Sequence, residues 1–125
     1  MHDLLPPASA RRDALVADFA AAFGRAGFGR IDTPLLEDLR VFQRVGEGTD
    51  VVSKEMYAFT DRDGTVVALR PETTAGVARA FVEHRPITPW RVWYLSAHFR
   101  HEKPQRGRVR QHHQLGAEVF SVADP

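Results

Sequence analysis

The amino-acid sequence predicts an α+β fold, an antiparallel β-sheet with flanking helices. Three observations carry that expectation. Apolar residues recur with helical spacing near residues 9–24 and 73–84, and residues 56–70 carry a hairpin signature. Two further segments, 91–102 and 110–120, alternate with a period of two. The 125-residue length suits one domain, and 43% hydrophobic with 26% charged residues is the composition of a globular chain. A net charge of +1 gives no global argument for nucleic acid, so any electrostatic argument is local.

Taken in chain order, Pro6 and Pro7 precede the first helix, with Ser9 placed to cap it. Leu15, Phe19 and Phe23 recur every four residues beside Val16 and Ala20, predicting a helix of about four turns that ends near Gly24 or Gly27. The stretch GFGRIDTPLLE reads as a turn and an extended segment. Pro34 lacks the ladder donor and suits an edge or bent strand. In MYAFTDRDGTVVALR, two apolar runs flank Asp61-Arg62-Asp63-Gly64, and Asp-Gly is a strong turn signal. Pro71 and Glu72 lead into TTAGVARAFVEH, where Val77, Ala78, Phe81 and Val82 form a helical stripe. Pro86 and Pro89 then punctuate the approach to the last two strands.

In the first of those strands, Trp93, Leu95, Ala97 and Phe99 share one face, and Ser96, His98, Arg100 and Glu102 the other. In the second, Leu115, Ala117 and Val119 oppose His112, Gln114, Gly116 and Glu118. The simplest arrangement is an antiparallel pair whose apolar face packs on helices. The opposite face then gathers Arg100, Glu102, His112, Gln114 and Glu118 as the floor of a binding site. Gly116 is expected to leave a gap there for close approach of a ligand.

Other chemistries are disfavoured. The absence of cysteine excludes disulfides and thiolate chemistry and points to a reducing cytoplasm. No apolar run reaches the ~18–20 residues of a membrane span, and MHDLLPPASARR does not read as a signal peptide. A cytoplasmic, non-membrane protein is therefore expected. His98, His101, His112 and His113 invite a metal reading, but adjacent histidines in a strand point to opposite faces, so no dedicated metal cage is expected. GRAGFG at 24–29 lacks the glycine spacing of a dinucleotide fingerprint. Glu47, Asp50, Lys54 and Glu55 read as a solvated loop rather than ligand contacts. Taken alone, Arg100 and Glu102 would be a surface cross-strand ion pair.

The longer context changes that last reading. FRHEKPQRGRVRQHHQLGAEVF at 99–120 resembles motif 2 of class II aminoacyl-tRNA synthetases, in its histidyl-tRNA synthetase version. TPLLE resembles motif 1, and GTDVVSKEMYAFTDRDGTVVALRPETTA resembles the family's histidine-binding approach. From DLLP onward the ordered set covers nearly the whole chain. The resemblance implies the N-terminal portion of a class II catalytic domain over 1–125, with motif 1 at about 9–40, the histidine-binding approach at about 46–76 and motif 2 at about 91–120.

It also implies a reaction. ATP activates histidine to histidyl-adenylate, and the histidyl group then passes to tRNA(His), with Mg2+ bridging phosphates. Arg100 would be the catalytic arginine on the α-phosphate. Glu102 would accept from the adenine amino group, and Arg108 and Arg110 would approach the outer phosphates or the tRNA end. Glu72 and Thr74 match residues that bind the α-amino group of histidine. Gln114 matches the glutamine at the amino acid's polar end, and Glu118 the acid that bonds the imidazole. Gln105 and Arg106 would face the tRNA acceptor end.

One departure stands out. Where the family has RQFHQ, this chain has Arg110-Gln111-His112-His113-Gln114, so the phenylalanine that stacks on adenine is His112. The family dimerises through motif 1, implying a homodimer through segment 9–40. No segment here corresponds to the later arginine-bearing segment, to motif 3 or to the anticodon-binding domain, so an incomplete catalytic unit is expected. The competing function is a non-catalytic paralogue that regulates ATP phosphoribosyltransferase in histidine biosynthesis. The intact FRHE with PQRGRVRQ favours the synthetase, because a regulator has no chemical use for that loop. A role in association alone is the remaining reading.

Overall fold

In a computed structural model that describes residues 3–46, 55–101, 103, 105 and 107–121, two small sheets meet under three helices. Helix α1 spans Ala8–Arg25, followed by strands β1 (Gly29–Arg30) and β2 (Leu36–Asp38) and helix α2 (Leu39–Gly46). Strands β3 (Tyr57–Thr60) and β4 (Val66–Leu69) precede helix α3 (Thr74–His84), and strands β5 (Trp90–Phe99) and β6 (Gln111–Phe120) complete the order. Glu47, Asp50 and Lys54 of the expected solvated loop lie outside the described residues.

Helix α1 starts one residue before Ser9. Pro7 is its N-cap with no side-chain cap, correcting the expectation for Ser9, whose amide already donates to Leu5 O at 3.1 Å. At the other end, Gly27 takes φ +79° and the Phe28 amide reaches back to Phe23 O at 2.9 Å. A side chain at Gly27 would be strained in that left-handed turn. Phe19 and Phe23 stack at 4.2 Å, and Phe19 meets Trp93 of β5 at 5.7 Å.

One sheet has the order β1-β5-β6. Strand β1 is parallel to β5, and β5 pairs antiparallel with β6 from Trp90↔Phe120 to Phe99↔Gln111. The other is antiparallel, β2-β4-β3, which places β2 at an edge just after Pro34, as expected of that proline. The β3–β4 turn closes as its sequence predicts. Gly64 has φ +90° and donates to Asp61 O, while Asp63 Oδ1 accepts from the Thr65 amide at 2.9 Å. Helix α2 was not anticipated. It buries Phe42 against Ala68 and Ala75, with Leu39, Val41 and Met56 around them.

The β5–β6 hairpin is covered on both faces, where only the apolar face was expected to pack on a helix. Val92, Tyr94, Ser96 and His98, all on the face read as polar, are buried. Val77 of α3 packs against Val92 and Tyr94, with Ile31, Trp90 and Phe120 at the rim. The other face meets α1 through Trp93 but leaves Val119 56% exposed. A helix with a small, apolar underside can lie on a partly polar sheet face when the polar groups bond to its N-terminus.

Candidate functional site

The site forms where the start of α3 meets the middle of the hairpin. Thr73 is the N-cap of α3, and Glu72 Oε1 accepts from the Ala75 amide at 2.9 Å. A carboxylate there satisfies an orphan amide and lies at the positive end of the helix dipole. Thr74 Oγ1 donates to Glu118 Oε1 at 2.7 Å, joining α3 to β6. Tyr94 on β5 also reaches Glu118 Oε1, at 3.4 Å. Burial and the nearby Glu118 carboxylate push the Tyr94 phenol above its ordinary range, so it stays protonated as a donor.

Gly116 has a different use from the expected gap. It pairs with Tyr94, and a Cβ there would fall against Cζ, Oη and Cε2 of the tyrosine ring. The ring itself fills the space, so the glycine admits a side chain of the protein rather than a ligand.

Arg100 follows β5, half-buried, and its Nε donates to Pro71 O at 2.9 Å, while its amide donates to Arg110 O at 3.0 Å. The cation therefore stands beside the residues that open α3. His112 and Gln114 lie on β6 opposite His98 and Ser96, two residues apart on the Glu118 face. His112 is half-buried, whereas Gln114 and Arg110 are exposed. The loop turns at Gly107 (φ +84°), with the Arg108 amide donating to Gln105 O at 2.9 Å, so exposed Gln105 and Arg108 sit together at the turn. Glu102 and Arg106 lie outside the described residues. The structure thus gathers Glu72, Thr74, Arg100, His112, Gln114 and Glu118 around one face of the hairpin. Arg108 and Gln105 lie at the turn of the loop.

Sequence reasoning missed two supporting residues. Arg70 is only 6% exposed, and its guanidinium donates to Ala97 O at 2.8 Å and to Thr33 O at 2.7 Å. Its backbone joins both sheets as well, through Leu35 O and the Phe99 amide. His98 is fully buried and shares a 2.7 Å hydrogen bond with Thr73 Oγ1, and its ring stands edge-on to His112 with centroids 5.3 Å apart. Burial first, then the charges of His112, Arg70, Arg100 and His113, pull its pKa down to about 4. The period-two parity that ran Ser96, His98, Arg100 also contained Tyr94, and Arg70 has the parity of buried Ala68. Those alternations were the available signals.

Among the described residues no group of three histidine, aspartate or glutamate side chains is placed to hold a metal. No helix among them is long and apolar enough to cross a membrane. A groove of about 490 Å³ lies elsewhere, between α2 and α3, lined by Val41, Ala78, Arg79 and Val82 among others.

Known proteins resemble this chain in sequence and in fold. The histidyl-tRNA synthetase family model matches residues 1–125. A histidine–tRNA ligase from Mycolicibacterium vanbaalenii is 52% identical over 127 residues, covering 98% of this chain and 30% of that protein. The crystal structure of apo S. aureus histidyl-tRNA synthetase superposes with a TM-score of 0.77 at 28% identity, over 95% of this chain and 27% of the other. A Bacillus halodurans structure described as an ATP phosphoribosyltransferase regulatory subunit/histidyl-tRNA synthetase gives 0.78 at 26% identity, over 95% and 30%. The chain spans about 30% of the length of the curated relatives it matches. With its whole length matched by the family model, the chain belongs to the histidyl-tRNA synthetase family.

Proposed function

We propose that this chain supplies the motif 1 and motif 2 part, about 9–40 and 91–120, of a homodimeric enzyme that activates histidine with ATP and Mg2+ and charges tRNA(His). The observation that carries the reading is the 2.7 Å bond between Thr74 and Glu118. It joins a histidine-amino residue to a histidine-imidazole residue across 44 positions of sequence. Arg100, tied to Pro71 O, stands at the same helix start, where the attacking carboxylate and the α-phosphate would meet.

In that reaction a carboxylate oxygen of histidine bonds to the α-phosphorus, and pyrophosphate leaves with the electrons of the broken P–O bond. No protein nucleophile is needed, so positioning and charge do the catalysis. Arg100 is the catalytic residue, and Arg108 and Arg110 supply cations for the outer phosphates, a donor set that fits a triphosphate. Glu102 and His112 take the adenine. Glu72, Thr74, Gln114 and Glu118 take histidine, and Gln105 and Arg106 face the tRNA end. Mg2+, held by the phosphates rather than by a protein cage, would neutralise charge as pyrophosphate departs. Exposed Leu15, Leu35 and Leu36 in the motif 1 region support association of two copies.

Histidine-dependent exchange of labelled pyrophosphate into ATP tests the reading. It is to be run on the chain and on a chimera in which these residues replace the matching part of the M. vanbaalenii ligase. Exchange is expected from the chimera. An inactive chimera that binds histidine would favour the second reading, a regulatory subunit like the B. halodurans neighbour, whose similarity here is comparable.

A further inference from the structure

The family pattern has phenylalanine where this chain has His112, and an imidazole is a smaller and more polar stacking surface than a phenyl ring. His112 is half-buried on β6, and the residue paired with it across the hairpin is also a histidine, His98. The two rings are nearly perpendicular, at 89° with centroids 5.3 Å apart. That edge-to-face arrangement is the favoured way for two aromatic rings to fix each other's plane. His98 itself has no room to turn. It is 0% exposed, and Thr73 Oγ1 at the cap of α3 holds its Nε2. Its Nδ1 has no hydrogen-bond partner among the described residues, so hydrogen bonding alone does not explain a histidine here. A neutral ring adds no positive charge beside Arg70, Arg100 and His112, whereas a charged one would repel all three.

We propose that His98 is a positioning residue whose buried ring sets the plane of His112 for stacking on the adenine base. The inference rests on the adenine role assigned to His112 above. The cap of α3 thereby becomes the anchor for the adenine platform, through Thr73 and His98.

Two variants separate the ring of His98 from its hydrogen bond. His98→Phe keeps an aromatic edge and loses the bond to Thr73; His98→Gln keeps a bonding group and loses the ring. The readouts are the histidine ring resonances in carbon–proton NMR and the affinities for ATP and for inorganic tripolyphosphate. In the wild-type chain, ATP is expected to shift the His112 ring signals while tripolyphosphate leaves them in place. His98→Gln is expected to move the His112 signals of the free protein and to weaken ATP about fivefold, with tripolyphosphate unchanged. His98→Phe is expected to hold ATP affinity within about twofold. The reverse order, Phe weakened and Gln retained, would mean that His98 only ties Thr73 and would overturn the proposal. So would free-protein His112 signals that neither variant moves. If wild-type His112 signals do not respond to ATP, the adenine role of His112 fails instead, and the free-protein signals still report whether His98 orients that ring.

Discussion

A histidine with no exposure, such as His98, makes stability depend on pH. Its folded pKa of about 4 lies below the ordinary 6.5, so the unfolded chain binds the extra proton between those values. The neutral form's contribution is complete above about pH 6.5 and is lost as pH falls towards about 4. Thermal unfolding is expected at a lower temperature at pH 5 than at pH 7, and His98→Phe should flatten that part of the difference. An equal pH slope in the variant would place the titration elsewhere. At Gly116 the matter is steric. Gly116→Ala would drive a methyl into the Tyr94 ring and should cost about 1–3 kcal/mol in urea unfolding. Measured in a Tyr94→Ala background, the cost of Gly116→Ala should shrink, since the ring no longer occupies the space. For the proposed chemistry, Arg100→Ala should lower pyrophosphate exchange by roughly a hundredfold with little change in histidine affinity. Glu118→Ala should weaken histidine first. Equal effects of both on both substrates would break this division of roles.

Between elements, a few buried polar ties decide how the sheets and helices sit. Arg70 directly follows β4 yet bonds to the chain before β2 and to β5, so one fork staples the two sheets. Lysine has the charge without the planar fork and cannot reach both carbonyls. Arg70→Lys should therefore cost about 1–3 kcal/mol, read by denaturant unfolding, because buried acceptors lose their donor. The second tie is Glu37 of β2, 8% exposed, which accepts from Arg79 Nη2 of α3 at 2.8 Å. Arg79 is held again by Glu83 at 2.6 Å one turn along. Gly76 lets α3 come this close, since a Cβ there would sit 3.3 Å from Thr33 Oγ1. These ties place Glu72 and Thr74 over β6, so damage to them would reach the site without touching it.

Across the molecule, burial is uneven. Helix α1 has no buried residue along its 18 positions, and Leu15 is 59% exposed despite its place in the apolar stripe. An amphipathic helix gains most of its stability from packing, so this face suits the proposed association. Sedimentation should show a concentration-dependent dimer, and Leu15→Glu should shift the population to monomer without unfolding the chain. A monomer at every concentration would argue against the motif 1 interface.

Both long strands, the Asp-Gly hairpin and the first and third helices were legible because each rests on local rules: a period of two, a period of 3.6, a turn that needs φ above zero. The hairpin register was legible too, since its residues are contiguous along the chain and its parity puts Arg100, His112, Gln114 and Glu118 on one face. What could not be read were contacts between residues far apart in sequence. Helix α2 was overlooked because it spans only eight residues, Leu39–Gly46, and its Phe42 gains meaning only against Ala68 and Ala75. Local pattern likewise missed that the second face of the hairpin is covered too, because alternation says which residues share a face and not how many faces helices will take. Arg70, His98 and the Tyr94–Gly116 pair acquire their roles from partners on other strands. Periodicity is a property of neighbours along the chain, whereas burial and hydrogen-bond partnership depend on which elements the fold brings together.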